Sequence, residues 1–163
     1  MLSARALELP EPTRLLASAF AFCPEHSFSF DEAALLMPRP DPAKLVRDLA
    51  RLVKSDMLRS TSERFGLSDR AWVPLLLGQL TEEQARGIHL RLAGMFERRG
   101  EEEFRVAQHL LRAGQVDPAL DKFVAHAIRS QEITDSSPEA MHQLLTALPE
   151  DWLPTYEEVL RLC

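Results

Sequence analysis

Residues 81–131 decide how this chain is read: TEEQARGIHLRLAGMFERRG over 81–100, then EEEFRVAQHLLRAGQVDPALDKFVAHAIRSQ over 101–131. The stretch reads as three amphipathic helices in series. Thr81 and Gln84 form a capping box at the start of the first. Its apolar positions Ala85, Ile88, Leu92, Met95 and Phe96 recur at helical spacing, and Gly100 stands where a left-handed C-cap ends it. The second helix carries Phe104, Ala107, Leu110 and Leu111 and stops at Gly114. Asp117 as N-cap and Pro118 at the first helical position open the third. Its stripe is Leu120, Phe123, Val124, Ala127 and Ile128. Helices this short are marginal alone and must pack side by side.

Upstream, residues 12–22 hold Leu15, Leu16, Ala19, Phe20 and Phe22, a helix with a broad apolar face that Pro24 ends. Ser27-Phe28-Ser29-Phe30 alternates as a short strand does. Asp31 then predicts the cap of a brief helix over 32–37, closed by Pro38-Arg39-Pro40. Asp41 followed by Pro42 starts a helix to Lys54 that buries Leu45, Val46, Leu49, Leu52 and Val53. Residues 57–61 and 64–67 predict a β-hairpin across Ser62-Glu63, although neither is the usual glycine or asparagine. Helix, strand, helix, helix and hairpin is the order of a winged helix. Residues 68–80 predict a connecting helix with Trp72, Leu75, Leu76 and Leu80 on one side, in which Pro74 falls in the first turn or makes a kink. Trp72 and Phe96 read as core.

Downstream, Ser137 and Pro138 open a further helix carrying Met141, Leu144, Leu145 and Leu148. Tyr156 to Leu162 begins an apolar helix that stops at Cys163 after barely two turns. That ending predicts a segment cut from a longer protein, whose apolar Val159, Leu160 and Leu162 are either frayed or covered by self-association with a second copy.

Composition sets the bounds. The 163 residues are 45% apolar and 27% charged, with a formal net charge of −6, as in an ordinary globular protein. Residues 1–70 carry ten basic and ten acidic side chains; residues 71–163 carry nine and fifteen. That asymmetry predicts two domains, 1–70 winged-helix-like and 71–163 helical-hairpin. Net acidity argues against wholesale nucleic-acid binding. No run of about 18 apolar residues spans a membrane, and residues 1–9 lack the apolar core of a signal peptide. Cys23 and Cys163 form no close pair, so a reduced, cytoplasmic protein is expected.

Catalytic signatures are missing. The chain has no G-x-x-x-x-G-K-[ST], and six glycines provide no phosphate-cradling loop. H-E-x-x-H, C-x-x-C and G-x-S-x-G do not occur. His89, His109 and His126 lie near apolar stripes and read as packing or hydrogen-bonding residues; His26 and His142 read as exposed. Glu101-Glu102-Glu103 reads as a solvated helix cap that complements the dipole. No catalytic, cofactor-binding or metal-ligating residue is assigned, and no cofactor is expected.

The hairpin strand with Phe65, Leu67 and Ser68, then Leu80, His89-x-x-x-Ala93, Ala107-x-His109-x-x-x-Ala113-Gly114 and Ala119, make a pattern with a resemblance. It is similar to the region after the ATPase core in bacterial STAND-type signal-transduction ATPases, which include multidomain transcriptional regulators. The likeness covers about residues 12–131. It implies a mostly α fold in which a winged helix leads into a right-handed array of tetratricopeptide-like helical hairpins. Ala119 and Phe123 match the second-helix spacing of such a repeat, but Ala127 falls one residue late. No second copy follows at a period near 34 residues. On this resemblance any nucleotide site lies in a preceding domain, and the segment is a non-catalytic coupler that binds a protein partner or neighbouring domains.

One stripe competes with that reading. Lys44, Arg47, Arg51 and Lys54 follow +3, +4, +3 spacing and share one helical face. In a DNA-binding winged helix this element enters the major groove, and Arg59 and Arg64 touch phosphates from the wing. Against it, Asp48 and Asp56 dilute the stripe, and the chain has no asparagine to read adenine. The same face serves equally as a solvated surface or a docking face. Trp152 and Tyr156 are the other candidate partner surface.

Overall fold

The computed structural model describes residues 9–39, 41–101 and 103–130, and only the backbone at 124 and 127–130. The protein is mostly helical with one small sheet. The order is α1 (Glu11–Ala21), β1 (Ser27–Ser29), α2 (Phe30–Leu35), α3 (Pro42–Lys54), β2 (Leu58–Thr61), β3 (Arg64–Leu67), α4 (Trp72–Leu77), α5 (Glu82–Arg99), α6 (Glu103–Arg112) and α7 (Val116–Ser130). By internal contacts the chain divides into residues up to Met95 and residues from Phe96 onward, so α5 begins in one unit and ends in the other. The charge-based boundary near residue 70 falls inside the first of these.

In the first unit α1 is the central helix. Leu16, Ala17, Ser18, Ala19, Phe20 and Ala21 are all buried, and the small side chains among them let neighbours approach on several sides. Helices α3 and α4 and strand β3 pack against it. Phe20 meets Phe28 of β1 edge to face at 5.1 Å, a favoured aromatic geometry. Phe28, Leu45, Leu49, Leu52, Met57 and Leu76 are among the other buried side chains.

The sheet is antiparallel in the order β1-β3-β2, with Phe65 opposite Phe28 on one side and Ser60 on the other. Thr61 pairs with Arg64, so the hairpin loop is the two residues Ser62 and Glu63. Both have positive φ, 49° and 66°, the conformation of a type I′ turn. The expected hairpin is present across Ser62-Glu63, without the usual glycine or asparagine.

Local signals set most helix ends. Ser29, not Asp31, caps α2: its Oγ accepts from Glu32 N at 3.2 Å, and Glu32 Oε2 accepts from Ser29 N at 2.7 Å. The brief helix therefore starts at Phe30, before the range read from Asp31. Asp41 caps α3 by accepting from Lys44 N at 3.1 Å. Helix α3 ends in a Schellman motif: Met57 N donates to Leu52 O, Asp56 N donates to Val53 O, and Asp56 adopts φ 61°. The Asp56 carbonyl then accepts from the Trp72 indole at 3.2 Å and from the Ser68 hydroxyl.

Two further differences concern this unit. The connecting helix covers only Trp72–Leu77, because Asp69 first turns the chain by accepting from Ala71 N at 2.8 Å. Pro74, lacking a backbone N–H, is then confined to the first turn. On α3 the buried residues are Leu45, Asp48, Leu49 and Leu52, whereas Val46 and Val53 face solvent.

The Thr81–Gln84 capping box opens α5, with reciprocal bonds of 3.0 and 3.2 Å. Ile88, Leu92, Ala93, Met95 and Phe96 are buried along it; Ala85 is half-buried. Arg91 Nε donates to the Leu36 carbonyl at 2.7 Å, at the end of α2. Burial lowers the pKa of its guanidinium.

In the second unit α6 and α7 pack on one another. Gly100 and Gly114, at φ 72° and 76°, end α5 and α6 in Schellman motifs: Glu101 N donates to Phe96 O and Gln115 N to Leu110 O. Helix α6 buries Val106, Ala107 and His109, leaving Phe104, Leu110 and Leu111 half-buried. Its inward face is thus rotated from the expected stripe. His109 stacks on Phe96 at 5.4 Å, and Arg105 lies over the same ring at 5.5 Å, which sets that rotation. Helix α7 starts at Val116, ahead of the expected Asp117 cap, with Ala119 N donating to Gln115 O. Ala119 and Phe123 are its buried residues whose side chains are described.

Candidate docking face

The feature of chemical interest is the solvent side of α3. Asp41 and Pro42 launch this helix, and the buried row Leu45, Asp48, Leu49 and Leu52 fixes its rotation. At about 100° per residue, the outward arc has two halves. One carries Val46, Val53, Ala50 and Ala43; the other carries Lys54, Arg47, Arg51 and Lys44. Val46 is 55% exposed and Val53 36%. Arg47, Arg51 and Lys54 are exposed and Lys44 partly so. The apolar half spaces its side chains +3, +4, +3, and the cationic half repeats that spacing one residue later.

No acid lies on this arc. Asp48, which in the sequence dilutes the stripe, is turned inward, and its Oδ1 accepts from Thr13 Oγ1 at 2.7 Å. Asp56 sits past the helix end in its left-handed C-cap. None of Lys44, Arg47, Arg51 or Lys54 forms an ion pair among the described residues. Elsewhere arginines are engaged: Arg70 with Glu25, Arg86 with Glu82, and both Arg99 and Arg105 with Glu101. On this arc cations without an ion pair stand beside exposed valines.

The hairpin contributes less than its sequence suggests. Arg59 is exposed on β2. Arg64 is committed: it donates to Glu32 Oε2 at 2.9 Å and to Ser27 Oγ at 3.1 Å, tying β3 to the cap of α2. It is not a spare cation for a phosphate. Trp152 and Tyr156, and the apolar terminus at Val159, Leu160 and Leu162, lie outside the described residues, as does His142.

The remaining histidines sit against aromatic rings. His89 lies 4.1 Å from Phe22, His109 stacks on Phe96, and His126 is 5.4 Å from Phe104. His26 is half-buried, not exposed, and stacks on Phe28 at 6.5 Å. Glu101 is less a solvated cap than a clasp between Arg99 at 3.1 Å and Arg105 at 3.0 Å. Among the described residues no three His, Cys, Asp or Glu side chains converge as metal ligands do, and no helix is long and apolar enough to cross a membrane. Cys23 is buried.

The chain matches no protein-family model, no curated protein and no solved structure. Its chemistry is therefore read from its own residues. Sequence reasoning located the four cations but missed their companions. Ala43, Val46, Ala50 and Val53 were legible as a +3, +4, +3 series, yet a stripe of that kind on any helix is first assigned to the core.

Proposed function

We propose that this chain is a non-catalytic regulatory and protein-interaction segment of a larger signalling ATPase or transcriptional regulator. In this reading a winged-helix-like unit docks through the solvent side of α3 and couples a nucleotide-binding core to effector or partner binding. A tetratricopeptide-like helical-hairpin region carries the second contact. The observation that supports it is the two-sided face of α3, where Val46 and Val53 are exposed beside four unpaired cations. Exposed valines cost free energy in water and lower it when covered, at roughly 25 cal/mol per Å². Cations on the flank then orient the partner and speed its approach.

A second reading has its own support. With Asp48 turned inward and Arg59 exposed on β2, the arc also suits the phosphates of duplex DNA, as in a winged-helix transcription factor. The aliphatic half weighs against it, since alanine and valine offer no hydrogen bond to a base edge.

A photoreactive amino acid at position 47, expressed in cells, separates the two readings, with position 86 on α5 as the control. Protein-linked adducts at 47 that are absent at 86 are the expected result. Nucleic-acid adducts at 47 reject the docking reading in favour of DNA, and no adducts above the control reject both.

A further inference from the structure

We infer that the α3 face takes an amphipathic α-helix of acidic character, lodged along the Ala43–Val46–Ala50–Val53 seam. The inference rests on the docking reading above and names the chemistry of the partner. It starts from spacing. The intervals +3, +4, +3 are those of alternating a and d positions in a heptad. On a straight helix that series stays on one side for three turns, the footprint of one helix laid along another. Among the described residues the exposed large hydrophobics are Val46, Val53 and Leu90, so two of the three fall in this series.

Side-chain size adds to the case. Alanine alternates with valine, and such short side chains bring helix axes to the close end of the usual 8–10 Å range. A helix presenting a ridge of Ala and Leu fits so shallow a row of side chains. Charge then chooses among helices. With Val46 and Val53 at d, Arg47 and Lys54 occupy e, the position that flanks the seam and selects partners by charge. Lys44 and Arg51 stand one step further out. Four cations and no carboxylate on that flank require Asp or Glu on the facing helix, and a basic helix is repelled. The opposite flank is closed, because Leu45, Leu49 and Leu52 are buried in the protein's own core. The partner helix is therefore held from one side by charge and beneath by the alanines and valines.

The test uses the full 163-residue chain and a designed helical peptide about four heptads long, with Ala at a, Leu at d and Glu at e and g. Glutamates at e and g keep the peptide from pairing with itself. The matched control carries Lys at e and g, and duplex DNA of about 20 base pairs is the third probe. Binding of the Glu peptide but not the Lys peptide is expected. Val46→Glu should weaken it by roughly tenfold or more, and Ala50→Glu likewise, while Arg86→Glu has no effect. Both seam positions are exposed, and circular dichroism of each variant checks that the fold is kept. Failure of the Glu peptide to bind overturns the inference. So does binding that is indifferent to Val46→Glu, since the seam is then not the contact, or duplex DNA that displaces the peptide. If the peptide fails while protein adducts at position 47 persist, the acidic helix is wrong and docking stands.

Discussion

Thr13 Oγ1 donates a 2.7 Å hydrogen bond to Asp48 Oδ1 in the protein interior, joining α1 to α3 across 35 residues of sequence. This pair does two things. It holds the rotation of α3 by burying a residue that sequence alone places outside. It also removes the one carboxylate that otherwise interrupts the cationic arc.

Asp48 Oδ2 is buried with no hydrogen-bond partner among the described residues, so Thr13 is its main compensation. Thr13→Val should destabilise the protein by about 1–3 kcal/mol, the usual cost of stranding a buried polar group. The double variant Thr13→Val/Asp48→Leu should recover much of that loss, since replacing both partners of a buried polar pair by apolar groups is close to neutral. Urea unfolding of the three proteins measures it. Equal stability of the wild type and Thr13→Val contradicts the account.

The Ser62-Glu63 turn holds two L-residues at φ 49° and 66°, where each non-glycine residue is disfavoured by roughly 1–2 kcal/mol. Replacing the pair by Asn-Gly should raise stability by about 1 kcal/mol. A rise in the urea midpoint at constant slope is the expected result, and a fall means that the hairpin is not held in this turn.

Leu92 is fully buried on α5. Leu92→Ala should cost about 2–5 kcal/mol, from lost transfer free energy and the cavity left behind. Leu90→Ala is the contrast: Leu90 is 47% exposed one turn face away, and its loss should be nearly silent. Similar unfolding free energies for the two variants contradict the phase of this helix.

These positions also show how far the sequence carries. Ends of elements were legible where a local rule decides them: the Thr81–Gln84 box, Asp41-Pro42, Gly100 and Gly114 each act through bonds within a few residues. Faces were legible only in part. Periodicity marks that α3 has two sides but assigns Val46 and Val53 inward by type, and only Thr13, far away in sequence, decides that Asp48 goes in their place. On α6 the same limit recurs, because His109 and Arg105 both meet the Phe96 ring and turn Leu110 and Leu111 partly outward. The cap of α2 falls at Ser29 and not at Asp31, because Glu32 reaches back to Ser29 N.

The central claim is that the outward face of α3 is covered by a partner when the protein works. Ala50→Cys places a thiol in the middle of that face, and Arg86→Cys places one at an exposed control site on α5, both in a Cys23→Ala/Cys163→Ser background. Maleimide labelling rates are compared for the purified 163-residue chain and for the protein in cells. Similar rates for the two sites in the purified chain, with position 50 protected several-fold relative to position 86 in cells, is the expected result. An unchanged ratio between the two settings would show an α3 face that stays bare, and the docking account would fail.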